Sequence, residues 1–131
     1  MTLLALSLLA LIAPYDAPET AQHGYASAYA PGVMQEVIEA RFLNDWWPNT
    51  PRRDWYTAAG YVAGMDCAKV GQMATLVTPD GREWPVLIAD CAGNDGPADR
   101  FTRNRIIAEL DWGLFTRLTA IHGRPLSITL R

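Results

Sequence analysis

Positive charge, cysteine and cofactor-binding motifs are all scarce in this sequence. Lys69 is the only lysine, and the 131-residue chain carries a net charge of −3 with a pI of about 5.2. A general nucleic-acid-binding protein is usually basic, so the composition argues against that class. The two cysteines are too few for a structural zinc site. The sequence contains no phosphate loop, dinucleotide motif, metal-ligand cluster or defensible Ser-His-Asp order, so we expect no cofactor and no metal.

The few positive charges are concentrated at one end of the sequence. Residues 100–131 hold six arginines against two acidic residues, a net of +4, which leaves −7 for residues 1–99. A basic segment of this kind faces an acidic polymer in some proteins and is a solvated rim in others. Both interpretations remain open at this point.

Long apolar runs are also absent. The longest, residues 3–13, is too short to cross a bilayer, which takes about 20 residues, so we expect no stable membrane span. Its length is that of the apolar part of a signal peptide, although no basic residue precedes it and no clean small-residue cleavage site follows. The alternative is a buried N-terminal helix. We interpret residues 1–22 as a signal peptide and linker, which predicts a secreted or cell-envelope protein, and residues 23–131 as one domain.

The two cysteines are predicted to pair. Cys67 and Cys91 each lie beside a predicted strand, and two cysteines in a small exported domain usually form one disulfide. In a cytosolic protein the same two residues would more often be buried thiols. A disulfide would close a loop spanning 24 residues.

Short strands dominate the rest of the pattern. Residues 71–78 and 83–90 are expected to form a hairpin around Asp80-Gly81, because Asp-Gly supplies the positive φ that a tight turn needs. Pro85 lacks a backbone donor and is expected at a sheet edge or bulge. Asp111 is a predicted N-cap for a helix over residues 111–121, and residues 33–42 fit either strand or helix. Further strands are expected at residues 24–29, 58–63, 105–110 and 126–130. This pattern predicts a mainly β fold.

The order of these segments resembles one known group. The opening Ala26-Ser27-Ala28-Tyr29-Ala30-Pro31-Gly32, the strand Val86-Leu87-Ile88-Ala89-Asp90 and the segment Arg105-Ile106-Ile107-Ala108-Glu109-Leu110-Asp111 are similar to the RlpA-like, expansin and barwin domains. The resemblance covers about residues 24–131. It implies a six-stranded double-psi β-barrel with one or two short helices, acting on cell-wall polysaccharide. Ala30 stands where the family has glycine, and Glu109 stands near the position of the family's catalytic aspartate.

The resemblance and the residues together suggest a site. Cleavage of a glycan bond needs a carboxylic acid that protonates the leaving oxygen and is neutral at working pH, which an apolar setting favours. Glu109, between Ile107 and Leu110, is the candidate general acid, and Asp90 is the second candidate catalytic residue. Each has a structural alternative: Asp90 as an acceptor that fixes the following loop, and Glu109 as a rim carboxylate paired with an arginine.

Aromatic side chains and one arginine complete the predicted glycan-binding site. Tyr29 occupies the position of a groove aromatic in the family, Trp46 and Trp47 are adjacent in a polar loop, and Arg105 is expected on the groove rim. Flat rings stack on the apolar faces of sugars, although such rings also fill small cores. The expected function is that of a peptidoglycan lytic transglycosylase or similar glycosidase, in a monomer. The alternatives are a non-catalytic, expansin-like glycan-binding or wall-loosening module and a structural or partner-binding barrel.

Overall fold

The fold is known from a computed structural model that describes residues 21–43, 57–91 and 101–131. Six strands form a closed barrel: β1 (Gln22–Ala28), β2 (Gly60–Gly64), β3 (Met73–Val77), β4 (Glu83–Cys91), β5 (Ile106–Leu110) and β6 (Leu126–Leu130). The helices are α1 (Val33–Leu43) and α2 (Trp112–His122), with a 3-10 turn at Cys67–Lys69 and a helical turn over residues 101–104. The predicted mainly β, six-stranded barrel is confirmed. β1 begins at Gln22, one residue before the predicted domain start.

The strand order around the barrel is β1, β5, β2, β4, β3, β6. β1 pairs with β5 and β2 with β4 in parallel, whereas the other neighbours are antiparallel. Exchanging β1 with β4, β2 with β5 and β3 with β6 leaves both the neighbours and their directions unchanged. The two halves of the barrel are therefore interlocked, since strands of each half lie between strands of the other.

The barrel interior is filled by alternate residues of the strands. Inward positions are aliphatic or small, as the period-two pattern requires, and the buried set includes Val62, Leu76, Val86, Leu110 and Ile128. Helix α2 closes one end of the barrel with its apolar face, which consists of Leu114, Phe115 and Leu118. A second apolar cluster on the outer face of the barrel joins Met34 of α1 to Leu87 and Ala89 of β4. The ambiguous segment 33–42 is thus a helix that packs on the outside of the barrel.

The predicted hairpin is confirmed. Met73 to Val77 pair with Leu87 to Glu83, and the turn is closed by a 2.9 Å bond from the Gly81 amide to the Thr78 carbonyl. Gly81 has φ +84°, the left-handed conformation that favours glycine.

Pro85 occupies a non-hydrogen-bonded position in the barrel wall. Thr75, which lies opposite Pro85, makes both of its backbone hydrogen bonds to Arg131. No carbonyl of Thr75 therefore needs the backbone N–H that Pro85 lacks. On the other side Pro85 precedes the residue that pairs with the start of β2, and its carbonyl accepts a bond from Ala59. Pro85 therefore lies neither at a free sheet edge nor at a bulge, which the sequence led us to expect, but in the closed wall just before β2 begins.

The helix cap and the disulfide are confirmed as well. One oxygen of Asp111 accepts the Leu114 amide at 2.8 Å, and the other accepts the Tyr61 amide at 2.6 Å, so this carboxylate caps α2 and joins it to β2. Cys67 and Cys91 are bonded, with Cα atoms 5.0 Å apart. The disulfide ties the 3-10 turn to the end of β4, directly after Asp90.

Candidate functional site

Two β-bulges align the polar residues of the outer barrel face. In the pairing of β2 with β4, Val62 lies opposite Ile88 and Ala63 lies opposite Asp90, so Ala89 is an extra residue. Without the bulge, Ala89 would lie opposite Ala63 and Asp90 would lie opposite Gly64. Bulges of this kind re-aim a side chain.

The pairing of β1 with β5 contains the second bulge. Tyr25 lies opposite Ile106 and Ala26 opposite Ala108, which leaves Ile107 as the extra residue and brings Glu109 opposite Ser27. Glu109 also lies opposite Ala63 in β2. Neighbours directly across strands share one face of a sheet.

A lateral row therefore crosses four strands in the order Ser27, Glu109, Ala63, Asp90. We call this the carboxylate row. Its two carboxylates are separated by one strand carrying only a methyl group, and strand spacings place their Cα atoms about 10 Å apart. Ala63 itself is fully buried, in the apolar cluster that joins Met34 of α1 to β4.

Asp90 is held from two sides. The Tyr29 hydroxyl donates to its Oδ2 at 2.8 Å, and the Arg41 guanidinium of α1 donates to its Oδ1 at 2.6 Å. The side chains of Arg41 and Asp90 are each 20% exposed, so this ion pair is only partly accessible to water. Both oxygens of Asp90 thus have a hydrogen-bond partner, and the bond from Arg41 is charge-assisted.

The electrostatics of Tyr29 link all of these groups. Burial raises the pKa of the Tyr29 hydroxyl well above its ordinary value, and so do its hydrogen bond to Asp90 and the negative charges of Asp90 and Glu109, while Arg41 opposes the shift. Tyr29 is therefore a protonated donor, and Glu109 is near enough to act on it through its charge. The structure brings three predicted site residues, Tyr29, Asp90 and Glu109, into one cluster.

Other predicted binding residues are placed differently or lie outside the description. Arg105 is exposed and directly precedes β5, about 13 Å of extended chain from Glu109. The arginine that contacts Asp90 is Arg41 instead. Trp46 and Trp47 fall outside the described residues.

Two members of the cluster were missed by sequence reasoning. Arg41 lies on a helix whose position is set by apolar packing of α1 on the barrel, so no local signal links it to Asp90, 49 residues away. Ser27 lies within the opening segment that resembles the family, and its place two residues before Tyr29, near the end of a predicted strand, is the signal for it. Its buried Oγ makes no hydrogen bond within the part of the chain that the structure describes. This hydroxyl adds a polar group beside Glu109.

Comparisons of the chain with protein-family models, with curated proteins and with solved structures find no match. Among residues 21–43, 57–91 and 101–131, no three histidine, cysteine or acidic side chains gather as a metal-binding group, and no helix is long and apolar enough to cross a membrane.

Proposed function

We propose that this protein acts on cell-wall glycan, most directly as a lytic transglycosylase or related glycosidase with Glu109 as the general acid. The observation that carries the proposal is the carboxylate row, in which Glu109 and Asp90 face the same side of the barrel with only Ala63 between them. Most glycosidases cleave the glycosidic bond with two carboxyl groups that lie in different environments.

The different surroundings of the two carboxylates assign their roles. Asp90 accepts from Tyr29 and Arg41 through both oxygens and is the member of the pair that fixed donors hold in place. Glu109, between the buried Ala108 and Leu110, is the group that gives its proton to the leaving oxygen. The negative charge of Asp90 then stabilises the positive charge that develops on the sugar ring.

A single proton donor, Glu109, beside a carboxylate that only stabilises charge, Asp90, fits a reaction that needs one general acid. In a lytic transglycosylase a hydroxyl of the sugar itself replaces water as the nucleophile, so a second freely available carboxylate is not required. The ring of Tyr29, fixed by its bond to Asp90, is positioned as a stacking surface for a sugar. Ser27 lies directly across the strand pair from the acid, with its hydroxyl buried.

We also propose that the protein is exported and works in the cell envelope as a monomer. The Cys67–Cys91 disulfide is the kind of bond that forms and persists in oxidising compartments. The apolar segment 3–13 supports export by its length and composition. The resemblance to the RlpA-like, expansin and barwin domains supports a wall polysaccharide as the partner.

One observation favours a second function. Because both oxygens of Asp90 are already occupied, the cluster also suits a non-catalytic, expansin-like module that binds glycan through Tyr29 and leaves its bonds intact. The two functions share a binding surface and differ in the role of Glu109.

The test is release of soluble fragments from purified peptidoglycan by the full chain. Glu109→Gln keeps the size of the side chain and removes the acidic proton, so we expect it to retain glycan binding and lose turnover by a factor of 100 or more, on the order of general-acid effects. Glu39→Gln changes an exposed carboxylate of α1 and is the matched control. Unchanged turnover in Glu109→Gln would refute the catalytic role. Binding without any turnover by the unmodified protein would establish the module instead.

A further inference from the structure

An open cleft adjoins the carboxylate row along the same strands. It has a volume of about 290 Å³ and is lined by residues 58–61 on one side and by Asp111, Gly113, Leu114 and Arg117 on the other. Tyr61 lies two residues before Ala63 in β2, and Asp111 lies two residues after Glu109, so the cleft continues the outer face on which the carboxylates lie. We call it the α2 cleft. From Ala63 to Ala59 the chain spans about 13 Å.

Arg117 supplies the positive charge in the lining of the α2 cleft. Arg117 is exposed, yet its guanidinium is fixed by two contacts: it donates to the Ala59 carbonyl at 2.8 Å, and its central carbon lies 5.7 Å from the centre of the Trp84 ring. A guanidinium has five N–H donors in a rigid plane, and the Ala59 carbonyl takes one of them. The remaining donors are oriented in advance, which lowers the entropy cost of binding a ligand.

The carboxylate in the lining of the cleft, Asp111, already accepts hydrogen bonds from the protein backbone. Both oxygens of Asp111 accept backbone amides, from Leu114 at 2.8 Å and from Tyr61 at 2.6 Å. Arg82 adds a second positive charge on the same tryptophan, 5.8 Å from the centre of the Trp84 ring. The groups that remain for a ligand are therefore mainly guanidinium donors, with apolar and small side chains from Ala58 to Gly60 around them.

We infer that the α2 cleft is a subsite for a carboxylate carried by the glycan, held by the guanidinium of Arg117. A planar carboxylate matches the paired donors of an arginine, and charge-assisted hydrogen bonds of this type are the strong ones. The subsite would hold an acidic sugar further along the glycan strand from the bond that lies over the carboxylate row. This inference rests on the proposed function, since it assigns one subsite of the same groove.

The test uses two forms of one probe with the full chain. Peptide-free peptidoglycan strands carry a lactyl carboxylate on alternate sugars, and conversion of these carboxylates to methylamides removes the charge and keeps the glycan. By calorimetry we expect the unmodified protein to bind the carboxylate form about tenfold more tightly at low salt, with the preference shrinking at high salt.

Three variants make the result specific. Arg117→Gln is expected to abolish the preference and to bind the methylamide form as tightly as the unmodified protein does. Arg117→Lys keeps the charge without the fork and is expected to retain part of the preference. Arg103→Gln removes an exposed arginine that does not line the cleft, and it should leave the preference unchanged. The melting temperature of each variant is compared with that of the unmodified protein, to check that loss of the contact with Trp84 leaves the domain folded.

The outcomes separate this inference from the proposed function. Tight binding of both forms with no preference, or a preference that survives in Arg117→Gln, overturns the subsite and leaves glycan binding intact. If the unmodified protein binds neither form, both the proposed function and the subsite are refuted.

Discussion

Tyr29 and Asp90, 61 positions apart in sequence, are joined by a 2.8 Å hydrogen bond from the phenol to the carboxylate. The bond connects the residue that follows β1 to the bulged end of β4. Because Arg41 holds the other carboxylate oxygen, the same aspartate also connects α1 to the barrel. One side chain thus fixes the position of an aromatic ring and of a helix at the candidate site.

The first prediction concerns the pH dependence that Tyr29 produces. Its pKa in the folded protein is raised above the ordinary value of 10.0, mainly by burial, so the folded state holds this proton more tightly than the unfolded chain does. The stability from this group is therefore fully present below pH 10 and is lost as the pH rises above that value. Urea unfolding at pH 8 and pH 11 should show a smaller loss for Tyr29→Phe than for the unmodified protein. Tyr25→Phe, at a half-buried tyrosine of β1, is the control, and an equal loss in all three proteins would contradict the prediction.

The second prediction compares two glycines of the same strand. A Cβ added at Gly60 would lie 2.7 Å from Oδ2 of Asp111 and 2.7 Å from the Leu114 side chain, whereas at Gly64 the nearest atom would be 3.8 Å away. We expect Gly60→Ala to destabilise the domain by about 1–3 kcal/mol, because α2 and its cap must shift. Gly64→Ala is expected to change stability by less than about 1 kcal/mol. Thermal unfolding of the two variants measures the difference, and equal melting temperatures would show that α2 does not pack as described.

The third prediction concerns the turn of the β3–β4 hairpin. Gly81 has φ +84° with open space around it, so a substitution there acts on the backbone alone. Gly81→Val should destabilise by more than about 1 kcal/mol, since a β-branched residue is strained in this conformation. Gly81→Asn should cost less, because asparagine tolerates the left-handed region. Denaturant midpoints in the reverse order would indicate a different turn.

The fourth prediction concerns the Cys67–Cys91 disulfide. It closes a loop with a sequence separation of 24, which corresponds to about 3–4 kcal/mol of stability in the chain-entropy model. The oxidised protein should react with no thiol reagent, and the double variant Cys67→Ala, Cys91→Ala should lose stability of that order. Since Cys91 directly follows Asp90, we also expect weaker glycan binding in the double variant. Two reactive thiols in the native protein would disprove the pairing.

Features with a local chemical cause were predicted well from the sequence. The Asp-Gly turn, the cap at Asp111 and the alternation of the hairpin strands each depend on residues within a few positions of one another. The helix over residues 33–43 was left open because its apolar residues, such as Met34 and Val37, give little amphipathic contrast and become meaningful only against the barrel. Tertiary packing decided the conformation of that segment.

Three members of the site were predictable from the sequence, whereas Arg41, Ser27 and the contacts between the members were not. The resemblance pointed to Tyr29, Asp90 and Glu109, and the structure gathers them. The alignment itself depends on the two bulges, at Ala89 and Ile107, and no residue type in either strand signals an extra residue there. The identity of the cation beside Asp90 depends on where α1 docks, so Arg105 was chosen from the sequence and Arg41 makes the contact.

The interlocked order of the strands has a consequence for how the chain reaches its native state. β1 pairs with β5 and β6, whose residues follow it by about 80 to 110 positions, so β1 has no partner until the C-terminal strands are available. Contacts of such long sequence separation slow folding, because the loop entropy is lost before the pairing is gained. During synthesis β1 emerges long before the strands that will flank it, and the barrel closes only when Leu126–Leu130 arrives. A nascent chain without its last strand exposes the edges of β1 and β3, and unpaired strand edges of this kind make a chain prone to aggregation.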